Sequence, residues 1–371
     1  TSNVDEVNLY TDLAETEAIG TTIFNAYANI SYEYNLNTDT GWMSPQATTN
    51  INRDLSGGAG GFQIEMLKII GVNQSEWQNV VFQNIYVDPV VIGTFEIPFG
   101  FDSSDTSVGV RVRSVTSTGA QVTVAVPDYQ YGTNATSHGD IYLLVVEAGE
   151  WEEAGWPKIE ARNQYTDTVV ANRYSSAGDQ ITLNTTFWGA TTARFLTTVI
   201  SENSTTTGSK WIESWTNGGT RSTSPSTTAF YTSMSSAEVT PQDTHPGETI
   251  SYIVIEDGDF SINGLHIKSG ETADTIEEQT HNNLENHNFA ETPVWGVAKS
   301  IRMDDNNGGW INWEDSPFTA TQIEPYQQED RYADSEVGNR AVPVHYIITN
   351  VSTYSYSAGI DGEEWVDTNK A

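Results

Sequence analysis

Val108-Gly109-Val110-Arg111-Val112-Arg113-Ser114-Val115 alternates apolar and polar residues, turns at Thr118-Gly119, and continues as Gln121-Val122-Thr123-Val124. Upstream lies the apolar run Pro89-Val90-Val91-Ile92-Gly93. Downstream lies the longer run Ile141-Tyr142-Leu143-Leu144-Val145-Val146-Glu147, ended by Gly149. Each piece has the length and β-branched content of a strand and is bounded by turn residues. Together they predict one antiparallel β-sandwich module.

The same order returns further along the chain, as tandem duplication produces. The closing run Tyr142–Glu147 recurs as Ser251–Glu256 and more faintly as His345–Asn350. Gly149-Glu150-Trp151 and Gly155-Trp156 recur as Gly258-Asp259-Phe260 and Gly264-Leu265. The opening run at Pro89 is matched to Arg194–Ile200 and to Pro293–Ala298. Trp211–Trp215 and Gly309–Trp313 take the place of Val108–Val112. The spacing is close to 100 residues: 109 from Glu147 to Glu256 and 99 from Trp211 to Trp310. The chain is therefore read as all-β, with modules at 79–176, 177–284 and 285–371. A distinct segment, 1–78, precedes them and is assigned to attachment or oligomerisation. The tail from Ser352 alternates Tyr and Ser and is expected to add an edge strand.

Charge is the loudest feature of composition. Among 371 residues, 50 are acidic and 16 basic, a formal net charge of −34. Self-repulsion on this scale is tolerable where salt screens it to a few ångströms, so a protein built for high salt is expected, in the manner of haloarchaeal proteins. An ordinary acidic extracellular protein is the other reading. Such a field argues against nucleic acid as a partner, because nothing replaces phosphate counterions, and equally against an anionic membrane surface. No run of 18 apolar residues is present, so no membrane-spanning helix or membrane insertion is expected. The first residues carry neither a basic region nor an apolar signal segment; either a signal has been removed or none was needed. The absence of cysteine removes disulfides, thiolate nucleophiles and thiolate metal sites together.

The first module resembles the H-type lectin domain. The resemblance is carried by Phe82, Tyr86 and Pro89-Val90-Val91, then Val110–Gly119, then the closing strand ending at Glu147. It covers about 70 residues and extends to the later repeats only as a pattern. It implies six-stranded antiparallel sandwiches that trimerise and bind sugars in grooves near subunit boundaries. It also implies a sugar-contacting role for Arg111, eight residues before the turn glycine Gly119. The chain departs from the family in its closing strand, where Leu143 stands in place of a tryptophan and the later modules carry Tyr252 and Tyr346. The bare residue pattern equally allows Arg111 to be a strand arginine paired with a carboxylate. Similar modules also occur in virion fibre and surface proteins.

Candidate ligand-binding residues are Arg111, Tyr129, Tyr131, His138, Trp211 and Trp310. His138 and His245 precede equivalent closing strands but have no partner at metal-ligand spacing, so a turn histidine is the plainer reading and no metal is expected. Trp211 with Trp215, and Trp310 with Trp313, are read as pairs sharing a strand face. They fill the core or form a stacking platform. Asp304–Gly309 has a trace of a calcium loop without its closing glutamate. No nucleophile elbow, zincin helix or dinucleotide fingerprint appears, and no catalytic residue or cofactor is assigned.

The functional expectation is a non-enzymatic virion surface protein of a halophilic archaeal virus, such as a tail fibre, spike or turret subunit. Its partners would be host surface glycans, other virion proteins and copies of itself, with a homotrimer favoured. A cell-surface or S-layer-associated adhesin, and a polysaccharide-active enzyme with binding modules, are the competing classes.

Overall fold

The structure, a computed structural model, describes residues 61–73, 76–98, 108–125, 138–168, 178–203, 212–220, 222–235, 245–262, 264–277, 284–302, 310–328 and 340–357. Tyr129, Tyr131, Trp211 and the stretch Asp304–Gly309 lie outside them, as do residues 1–60 and the end of the tail.

The alternating runs form strands as their patterns require. The first set is β1 (Gln63–Asn73), β2 (Gln78–Val81), β3 (Pro89–Glu96), β4 (Gly109–Thr116), β5 (Gly119–Ala125) and β6 (His138–Glu147). The second set opens with the short β7 (Gly149–Trp151), then β8 (Ile159–Thr166) and β9 (Asp179–Thr182). A single-turn helix, α1 (Thr185–Trp188), precedes β10 (Ala193–Val199), β11 (Glu213–Asn217), β12 (Ala229–Ser235) and β13 (Glu248–Glu256). The third set is β14 (Gly258–Ile262), β15 (Leu265–Glu271), β16 (Glu285–Asn286), β17 (Trp295–Ser300), β18 (Trp310–Phe318), β19 (Gln322–Gln328) and β20 (Val344–Thr349). A last strand, β21 (Tyr354–Ser357), pairs antiparallel with β1. The Tyr/Ser tail thus adds the edge strand its alternation predicts.

One strand order recurs in all three sets. The major sheets read β3-β6-β1, β10-β13-β8 and β17-β20-β15, with the closing strand central each time. The minor sheets read β2-β5-β4, β9-β12-β11 and β16-β19-β18. In the first repeat, Val91, Phe95, Leu143 and Val145 of the major sheet share one core with Val110, Val112, Val122 and Val124 of the minor sheet. That is sheet-on-sheet packing from alternate residues of each strand. The turn glycines repeat as well. Gly149 and Gly258 have φ of 154° and 156°, and Gly155 and Gly264 have 85° and 87°, a region that side chains with a Cβ rarely enter.

The strand ladders divide the chain differently from the expected modules. β1 lies before residue 79 yet sits between β6 and β21, so the leading segment cannot end at 78. β7 and β8 fall inside the expected first module but pair into the sheet of β13, and β14 and β15 pair into that of β20. Each repeat therefore begins right after the preceding closing strand. The opening-strand match is also off by one residue in both later repeats. Pro89 pairs with Glu147 and Ala193 with Glu256, which aligns Pro89 with Ala193 rather than Arg194. Val90 likewise pairs with Val146 and Trp295 with Thr349, so the third repeat aligns Pro89 with Val294. A one-residue slip exchanges the two faces of a strand. Trp310 and Trp313, three apart in an extended strand, fall on opposite faces rather than one, and both are buried.

The three opening strands β3, β10 and β17 touch one another pairwise. Their outward amides are satisfied by side chains of the next repeat. Val91 donates its N–H to Ser251 Oγ at 3.1 Å, and Phe195, its equivalent, donates to Nδ1 of His345, the equivalent of Ser251, at 2.8 Å. Gly93 donates to Thr198 Oγ1 at 3.0 Å, and the equivalent Ala298 donates to Thr94 Oγ1 at 2.8 Å. Trp295 of the third repeat donates Nε1–H to the Leu67 carbonyl of the first at 2.9 Å. The first and third repeats also join through β3 and β18, which meet in parallel at Glu96 and Trp313, making one seven-stranded sheet.

His345 is the titratable member of this set. Burial holds it below its ordinary value of 6.5, opposed by its contact with Glu271 at 3.4 Å, while Arg194 adds to the depression. Because Nδ1 accepts the Phe195 N–H, the native ring is neutral. A group whose folded value is depressed contributes stability above its unfolded value and loses it as pH falls. We predict that, in molar salt, the melting temperature drops between about pH 7 and about pH 5. In His345→Ser, whose hydroxyl accepts the same N–H as Ser251 does, the drop is smaller. Equal drops in both proteins contradict the assignment.

Candidate functional site

Arg111 stands on β4 but does not face solvent; it is 3% exposed. Its Nη2 donates to the Ser201 carbonyl of the second repeat at 2.7 Å and lies 3.7 Å from Glu248 Oε1. Glu248 is itself held by the Asn203 N–H at 2.9 Å and by the Ser201 hydroxyl, and His245 Nε2 lies 3.9 Å from it. Glu213, the first residue of β11, packs its carboxylate over Gly109, where a Cβ would overlap it. Glu213 in turn pairs at 3.0 Å with Lys299 of the third repeat, buried like it. Burial pulls Arg111 down from its ordinary value, and Glu248, Glu213 and Glu202 oppose that shift. Two cations and two carboxylates thus form a buried junction among all three repeats. The expectation of a sugar-contacting Arg111 is corrected: its guanidinium is spent on holding the second repeat against the first.

The other candidates disperse. His138 is exposed at the start of β6, opposite Asn73. Trp310 is buried at the start of β18, opposite Gln328. Trp215 and Trp313 are buried too, so the described tryptophans of these strands fill the core rather than present a stacking face.

A cleft of about 410 Å³ opens instead at the edge of the second repeat, between its two sheets. β8 supplies Glu160, Arg162 and Gln164 on one face, the period-two spacing of a strand. Gln180 and Thr182 of β9 lie across from them, Glu150 and Asn184 close one end, and Tyr252 of β13 forms part of the wall. Glu160 is the deep group, its side chain 3% exposed, and Arg162 the outer one at 49%. Glu160 accepts Trp188 Nε1–H at 3.0 Å, Tyr252 O–H at 3.4 Å and Arg162 Nε–H at 3.3 Å. Arg162 Nη2 donates to Glu150 Oε1 at 2.8 Å, and Asn184 Nδ2 to Glu150 Oε2 at 2.8 Å. Asn184 Oδ1 also caps α1 by accepting the Thr186 and Phe187 amides at 3.1 and 3.3 Å. Burial, then Glu160, pushes the Tyr252 phenol well above its ordinary value, so it stays a donor. Burial works against the Arg162 charge, but Tyr252, Glu160 and Glu150 more than offset it.

The equivalent places in the other repeats are filled. Arg162 pairs with Tyr252, as Leu67 does with Leu143 and Gly270 with Tyr346. In the first repeat Leu67, Ile69 and Leu143 belong to the apolar core. In the third, the Tyr346 hydroxyl occupies the space where a Cβ at Gly270 would stand. The signal in the sequence was Glu160-Ala161-Arg162-Asn163-Gln164, a strand whose core-facing positions are polar. Among the described residues, no group of acidic residues and histidines has the arrangement of a metal site.

Comparison with models of known families finds no match, and neither curated proteins nor solved structures include one that matches the chain.

Removing Arg111 leaves Glu248 and Glu213 buried with too little positive charge. We predict that Arg111→Ala costs about 3–5 kcal/mol in denaturant unfolding in molar salt. A loss below about 1 kcal/mol, the size of an exposed ion pair, contradicts the junction.

Proposed function

We propose that this chain is a non-enzymatic surface attachment protein of a halophilic archaeal virus, built from three tandem sandwiches of the H-type lectin kind, that binds host glycans without transforming them. The observation that carries the reading is the second-repeat cleft: a solvent-open wedge lined by planar polar side chains and a phenol. Such side chains form paired hydrogen bonds to vicinal hydroxyls, and a few converging polar groups in a cleft of this size are what a small-molecule site requires. In the cleft's carboxylate pair, Glu160 is committed to Trp188, Tyr252 and Arg162, which favours a structural over a catalytic part for it.

Two further observations support a particle-surface role. A charge of −34 suits the brine in which such a virion is assembled. The opening strands of three repeats also meet within one chain, so the three-around-an-axis arrangement that the lectin family makes from separate subunits needs no separate subunits here. The unit is then displayed on the virion surface, alongside other virion proteins and in homo-oligomers.

The test is a glycan array probed with the full chain in molar potassium chloride, with a parallel assay for released reducing ends. We expect retention on a subset of glycans and no release. No retention on any glycan overturns the reading, and catalytic release replaces it with a hydrolase. The same account predicts that dilution from molar to about 0.1 M salt, where the screening length grows to about 10 Å, lowers the melting temperature. A melting temperature that is independent of salt contradicts the brine assignment.

A further inference from the structure

We propose that the chain carries one ligand site rather than three, in the cleft of the second repeat, and that this site takes an uncharged, hydroxyl-rich saccharide and turns away uronate-bearing or sulfated ones. This deepens the glycan-binding reading and rests on it.

The number of sites follows from what fills each equivalent wedge. A leucine pair and Ile69 close the first, and a tyrosine ring over a glycine closes the third. Among the described residues, the second places Arg162 and Gln164 where the first has the core residues Leu67 and Ile69 and the third has Gly270 under Tyr346, and the cleft of about 410 Å³ opens beside them. The volume lies within the range of about 300–1,000 Å³ of small-molecule sites. Repetition of the scaffold has therefore not repeated the site.

The ligand class follows from charge. The lining carries Glu150 and Glu160 against the single cation Arg162. That cation is engaged by both carboxylates, at 2.8 and 3.3 Å, so an incoming anion meets a site already one negative charge in excess. Like charge in a partly desolvated cleft disfavours the wrong ligand more strongly than a missing contact does. Sugar hydroxyls suit the same groups: they donate to the outer carboxylate Glu150 and accept from Gln164 and Gln180. No ionic contact has to be broken for them to do so.

The experiment is titration calorimetry of the full chain in molar potassium chloride. The probes are neutral hexose and N-acetylhexosamine oligosaccharides, with uronate-containing and sulfated oligosaccharides of matched length. Gln164 is exposed, so Gln164→Trp plugs the cleft without entering the core. Gln180→Ala removes one amide and reports on the site without added bulk. Neutral oligosaccharides should bind with a stoichiometry of one per chain. Binding should weaken at least tenfold in Gln164→Trp and several-fold in Gln180→Ala, with melting curves unchanged. Stronger binding of the acidic probes overturns the charge selection. A stoichiometry near three, or neutral binding that survives both variants, overturns the single site. Failure of every probe removes the glycan reading and this inference with it. The first two failures leave glycan attachment standing.

Discussion

Strands β10 and β17 are edge strands of their sheets that nevertheless lie buried at the meeting point of the three repeats. A buried amide without an acceptor is costly, and an uncovered edge invites pairing with another chain. The protein meets both requirements with side chains from the neighbouring repeat. Ser251 and His345 accept the N–H groups of Val91 and Phe195, and Thr198 and Thr94 accept those of Gly93 and Ala298. No repeat can therefore complete its own opening strand. This dependence, more than any single core, makes the three sandwiches fold as one body.

The buried charges follow the same logic. A chain with 16 basic residues places two of them, Arg111 and Lys299, at the junction with Glu248 and Glu213. An ion network of this kind contributes little net stability over a well-packed apolar one, because desolvation offsets attraction. Its effect is on specificity: only the correct cyclic order of repeats brings each cation to its carboxylate. Charges on the acidic surface discriminate less in this way, since salt screens exposed charges far more than buried ones.

Much of the architecture was legible in the residues. The closing runs at Tyr142, Ser251 and His345 announced three central strands, and the paired glycines at 149 and 258, and at 155 and 264, announced the same turns by the same backbone demand. What stayed hidden were relations between segments. Leu67, Ile69 and Val72 fall within the expected leading segment 1–78, and only the ladder to β6 makes them the first strand of the first repeat. The one-residue slip at Arg194 was invisible because β10 is buried on both faces, so apolarity does not fix its phase. Arg111 looked accessible because alternation gives a strand's faces but not what covers them. The cleft escaped notice because its polar strand falls in the stretch assigned to the end of the preceding module.

The four bridged amides of the opening strands tie each repeat to the next, and native-state hydrogen exchange in molar salt measures them directly. If neighbouring repeats complete these strands, Val91, Gly93, Phe195 and Ala298 exchange only through global unfolding, with the protection of the central strands β6, β13 and β20. Exchange of the same four amides at the rates of solvent-exposed edge strands, insensitive to global stability, would contradict this tie between repeats.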